Sequence, residues 1–167
     1  MSPRLKHACI AFVTAAVSVI AVLLSAPPGH AQQVPFAGMN GSWAGNGSIT
    51  LSSGSRERIQ CRATYEVQAG GNDLQLSLRC ASDSYNFDLR GNAVYNDGNI
   101  TGNWSEATQH AAGQFTGSAK GTHIYARAEG QTFAAILDLS TNGNRQLISI
   151  QSPGSQFSEV KITLTRK

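Results

Sequence analysis

Between residues 41 and 166 the chain alternates apolar and polar side chains almost without a break, and no stretch there has helical spacing. In 56–67, Ile59, Cys61, Ala63, Tyr65 and Val67 share one parity, and Arg58, Gln60, Arg62, Thr64 and Glu66 the other. In 74–80, Leu74, Leu76, Leu78 and Cys80 alternate with Gln75, Ser77 and Arg79. Successive side chains leave a strand on opposite faces, so period two with one apolar parity predicts strands buried on one side. Comparable runs fall at 41–51, 85–94, 99–106, 114–119, 122–128, 131–140, 145–151 and 159–166. The segments between them are rich in Gly, Asn, Asp and Ser, as in AGGND at 69–73, NDG at 96–98 and NGN at 142–144. Such residues supply the positive φ angles and local side-chain bonds that short antiparallel connections need. The expected fold is all-β, an antiparallel up-and-down meander of about 8–10 strands. A meander of this length removes its exposed edges by closing into a barrel. The chain does not end on an aromatic residue and shows no aromatic girdles, so a small soluble barrel is expected rather than a membrane-spanning one.

One hairpin can be put in register from the sequence. If Val67 pairs with Leu74 across the AGGND turn, Tyr65 faces Leu76, Ala63 faces Leu78, and Cys61 faces Cys80. Directly opposed residues have Cα atoms about 4.5–5.5 Å apart, within the span of a disulfide. The apolar parity and the cysteine positions therefore select the same register. A Cys61–Cys80 disulfide is expected.

The N-terminal segment bears on the redox setting. Arg4 and Lys6 precede a nearly uninterrupted apolar run from Ala8 to Leu24, followed by Pro27-Pro28-Gly29 and Ala31. A positive end, an apolar run, a breaker and small residues before the cut are the order of a cleaved secretory signal. Residues 1–31 are therefore expected to be a signal peptide cleaved between Ala31 and Gln32, in preference to an uncleaved anchor. Cys9 precedes the bulk of the apolar run, so no lipoprotein is expected. The expected organisation is signal 1–31, irregular lead-in 32–40 and a single barrel domain 41–167, in a periplasmic or secreted protein. Export removes Cys9 and favours oxidation of the remaining pair. It also removes two of the 13 Lys and Arg, leaving eleven against 10 acids. No basic run survives, which argues against a nucleic-acid partner and against stable membrane insertion after cleavage.

Gly-x-Trp occurs twice, as Gly41-Ser42-Trp43 and Gly102-Asn103-Trp104, and Arg166 lies at the end of the last strand pattern. On Gly41, Trp43 and Arg166 the chain resembles the calycin superfamily, the lipocalins and avidins. The resemblance implies that Trp43 packs at the closed end of a barrel with Arg166 over it. It departs from the lipocalins in lacking their other signatures and a C-terminal helix, and in having more than eight strands. The chain also resembles uncharacterised exported bacterial proteins with a G-x-W start and two cysteines, a likeness that implies no function.

No catalytic constellation emerges. His110 and His123 are the histidines beyond the signal, without the carboxylate support of a metal site. His110 is expected in a solvated loop over 107–113, and no nucleophile elbow, CxxC, P-loop or dinucleotide fingerprint occurs. The expectation is therefore no enzyme, no cofactor and no metal. Glycines at 45, 47, 91 and 102 interrupt strand patterns, where they allow sharp curvature or leave room for a ligand. The expected function is an exported binding protein holding a small apolar or amphipathic molecule, with Tyr65, Phe87, Trp104 and Phe133 as candidate lining. The alternative is an envelope protein-interaction or inhibitor domain with a filled core, working through loops such as 107–113 or 152–158. Cavity volume distinguishes the two.

Overall fold

A computed structural model describes residues 34–131 and 134–167. The expected signal with its cleavage site at Ala31 and Gln32, and the candidate Phe133, lie outside the described residues. Ten strands follow in order: β1 (Gly41–Leu51), β2 (Arg56–Gln68), β3 (Asp73–Ala81), β4 (Asn86–Asn96), β5 (Asn99–Glu106), β6 (Ala111–Lys120), β7 (His123–Gly130), β8 (Ala134–Asn142), β9 (Arg145–Gln151) and β10 (Phe157–Arg166). Each pairs antiparallel with its chain neighbours, and β1 pairs with β10, so the sheet closes into an up-and-down barrel. Closure leaves no strand edge unpaired, as the meander pattern requires.

The β2–β3 register is the one the sequence predicts. Val67 faces Leu74, Tyr65 faces Leu76, and Cys61 faces Cys80. The two cysteines are joined, with Cα atoms 4.1 Å apart. Both are buried on the inner face, beside Ile59, Ala63 and Leu78.

The turns sort into two ends. Strands β2, β4, β6 and β8 finish at one end, where the lead-in and the last residue also lie. Here Phe36 and Met39 are each 1% exposed, and the backbone of 34–39 folds into tight turns through Met39 N–H to the Phe36 carbonyl at 2.8 Å. Residues 34–39 of the expected lead-in thus form a plug, held because burying the Phe36 and Met39 side chains contributes about 1.5–3 kcal/mol each. At the opposite end the turns 52–55, 82–85, 107–110 and 152–156 surround a mouth.

Two departures from the expected pattern have local causes. Strand β6 begins at Ala111, so the loop expected over 107–113 is only 107–110, closed by His110 at φ 53°. Strand β10 begins at Phe157 rather than 159, because a bulge against Thr50 and Leu51 shifts its register. An extra residue reverses which parity faces inward. Phe157 therefore packs against the core although Val160 and Ile162, of the other parity, do so too.

The glycines on β1 mark curvature. A Cβ at Gly45 would lie 1.9 Å from the Thr163 carbonyl oxygen, and one at Gly47 2.0 Å from that of Lys161. Neighbouring backbone occupies the space, which supports sharp coiling over ligand room at these positions.

Candidate binding cavity

The barrel interior holds two adjoining spaces. An inner chamber of about 160 Å³ lies against the plug, with Phe36, Met39 and Tyr65 at its floor. Its walls come from inward residues of the middle strands, among them Leu76, Ile100, Phe115, Ala126, Leu137 and Ile148. Above it, a mouth of about 400 Å³ is bounded by Phe87, Phe157, Cys80, Glu106, Gln109 and Ser152. Leu78, Leu89, Trp104 and Ile150 line both spaces, so the chamber and the mouth share a wall. A further groove of about 940 Å³ runs over Arg58, Ser149 and Lys161 on the outer face of the sheet. It collects outward, mostly polar side chains and lies outside the barrel.

At the plugged end the polar groups are satisfied internally. Trp43 is 1% exposed, donates its indole N–H to the Met39 carbonyl at 2.7 Å, and meets Tyr65 edge-on at 6.3 Å. The Arg166 guanidinium lies 4.6 Å over the Trp43 ring and donates to the carbonyls of Asn40 and Gly38. The Tyr65 hydroxyl donates to Gln146 Oε1 at 2.6 Å, and Gln146 Nε2 donates to Thr141 Oγ1 at 3.1 Å. Burial pushes the Tyr65 phenol far above its usual range, against the smaller opposing effect of Gln146. This relay offers no free acid or base to the chamber.

At the mouth, Glu106 closes β5 two residues beyond inward Trp104. Its Oε1 accepts from the N–H groups of Asp88 at 2.8 Å and Thr108 at 3.2 Å, and from the Thr108 hydroxyl at 2.7 Å. Its Oε2 accepts from the Gln109 N–H at 2.6 Å. Burial raises its pKa, but these four bonds to the ionised form outweigh it, and the net shift is downward. Tyr85, Phe87 and Phe157 form an edge-to-face cluster beside it, with centroids 5.0 and 5.1 Å apart.

Three of the four candidate lining residues come together around this cavity. Tyr65 lies at the chamber floor, Phe87 at the mouth and Trp104 on the shared wall. Phe36, Phe115, Phe157 and Glu106 were missed by sequence reasoning. Phe115 could have been found from its inward parity between Gly113 and Gly117, whereas the bulge hides Phe157 and the lead-in shows no period at all. Among the described residues, no group of three or more His, Cys, Asp or Glu side chains is arranged to hold a metal.

No protein-family model matches the chain, and no curated protein sequence matches it. Among solved structures, the barrel is similar to the S-type phycobiliprotein lyase CPES from Guillardia theta, with a TM-score of 0.59 at 12% identity over 79% of this chain and 90% of that one. It is also similar to Rv2717c from M. tuberculosis, with a TM-score of 0.63 at 14% identity over 78% and 94% of the two chains. At this identity the likeness concerns the fold alone, a closed antiparallel barrel. The comparison corrects one expectation: the inference from missing catalytic motifs to no enzyme does not stand, because a barrel of this shape serves as a lyase. The physical reason is that a fold does not fix function, and that holding a molecule in a reactive geometry is itself a large part of catalysis.

Proposed function

We propose that the protein is an exported barrel that takes up a small apolar or amphipathic molecule, apolar part in the chamber and polar part at the mouth. The observation that carries this reading is the contiguity of an almost wholly apolar chamber with a larger mouth bearing polar side chains. Binding sites of this kind are concave and mostly apolar, with a few polar groups that fix orientation. A chamber of this size suits a benzene-sized group, since an engineered apolar cavity of roughly 150 Å³ takes up benzene. The cavity also weighs against the alternative of an interaction domain with a filled core. The Cys61–Cys80 disulfide supports export, because such bonds persist in oxidising compartments. The likeness to a phycobiliprotein lyase adds that a barrel of this shape can act on a partner as well as hold one, so chemistry on the bound molecule belongs within this reading.

The test is native mass spectrometry of protein purified from its own host, followed by uptake of the neutral dye Nile red by the ligand-stripped protein. A copurified small molecule, or saturable dye uptake at one site, is expected. Protein that carries nothing and takes up no dye would overturn the reading.

A further inference from the structure

The polar residues of the mouth are unequal in charge. Gln109, Ser152, Ser155 and Gln156 are neutral, and among the described lining residues Glu106 is the one that carries a formal charge. Among the described lining residues there is no Lys, Arg or His to offset it. Its four hydrogen-bond donors are three backbone N–H groups and a hydroxyl, which stabilise the anion without neutralising it. Glu106 is 8% exposed and lines the mouth. Oε1 accepts three of the four bonds and Oε2 only one, which leaves Oε2 able to accept from a further donor.

We infer that Glu106 selects the polar end of the occupant: an amphiphile with a hydrogen-bond-donating end that is cationic or uncharged, an amine or alcohol rather than a carboxylate or phosphate. This rests on the ligand reading above and adds its chemical class. An anionic end seated in the mouth would face Glu106 with no cation among the described lining residues to compensate it, and like charges brought together out of water repel strongly. A donor end would meet the free capacity of Oε2 while its apolar portion enters the chamber. The argument concerns recognition and involves no covalent step.

The experiment uses the oxidised protein without its N-terminal signal and three probes of equal chain length, decylamine, decan-1-ol and decanoate, below their micellar concentrations. Each competes with Nile red at pH 7.5. Decylamine and decanol are expected to displace the dye at concentrations at least about tenfold lower than decanoate, a modest share of the repulsion between unit charges in a partly dry site. In Glu106→Gln, decanoate alone is expected to improve, closing most of that gap. The ranking in the wild-type protein stands as a test even where the variant fails to fold. If decanoate competes as well as decylamine, the inference fails while the ligand reading stands. If the dye itself is never taken up, the ligand reading fails and takes the inference with it.

Discussion

The two Gly-x-Trp segments have nearly the same sequence and opposite fates. Trp43 faces Ala63 on one side and Arg166 on the other, under a plug whose Met39 carbonyl accepts its N–H. Trp104 has glycine on both sides, Gly91 and Gly113, and a Cβ on nearby Gly130 would come within 3.1 Å of its ring. It is only half-buried and forms the wall between chamber and mouth. The tripeptide therefore places an inward indole, and what stands beyond the strand decides whether that indole seals an end or borders a cavity. The plugged end is closed and internally paired, whereas the mouth joins apolar walls to neutral polar side chains and, among the described lining residues, one carboxylate, Glu106.

The largest expected effects test that division. Trp43→Ala should cost about 3–5 kcal/mol in urea-induced unfolding, the usual range for removing a fully buried Trp. Trp104→Ala should cost less than Trp43→Ala, because part of its ring borders the cavity instead of packed core, and should change the size of ligand accepted. Equal costs at the two positions would break the comparison. Replacing both Cys61 and Cys80 by Ala should lower stability by about 3 kcal/mol on the chain-entropy account for a loop of this length, measured the same way under non-reducing conditions. Because Cys80 borders the mouth, dye uptake should weaken along with stability.

Smaller effects distinguish the polar relay from its surroundings. Tyr65→Phe should cost about 1–3 kcal/mol by leaving Gln146 Oε1 buried without its donor. The Tyr65 phenol has a raised folded-state pKa, so its contribution is present below the unfolded tyrosine pKa of about 10 and is lost as pH rises beyond it. Wild-type unfolding curves should weaken above that pH, and Tyr65→Phe should flatten the dependence. Arg166→Met should cost about 1 kcal/mol, through the lost cation–π contact and the bonds to two carbonyls. A loss below about 0.2 kcal/mol would mean that the guanidinium is not part of the seal.

The effect most confined to the mouth is expected at acid pH. Glu106 has a lowered folded-state pKa, so its contribution is present above the unfolded glutamate value of about 4.3 and is lost as pH falls through the folded one. Hydrogen exchange should then accelerate at Thr108 and Gln109, whose N–H groups bond the carboxylate, before it accelerates in the plug. Acceleration at both ends together would show that the two regions do not open separately.

Much of this molecule is legible in its sequence because strand periodicity is local. The alternation in 56–67 and 74–80 names the inner face, the AGGND turn sets the hairpin register, and together they place Cys61 opposite Cys80. Closure follows from the number of strands and the cost of bare edges. Three things are decided only in the tertiary structure. Residues 34–39 form a plug because a barrel end lies within reach of Phe36 and Met39, a fact without a periodic signal. Phe157 faces inward because a bulge cancels the parity that would otherwise place it outside. Glu106 is a buried anion because backbone from β4 and from the 107–110 turn converges on its carboxylate. Spacing along one strand reports what that strand alone dictates, whereas a cavity and its charge arise from side chains that meet across several strands.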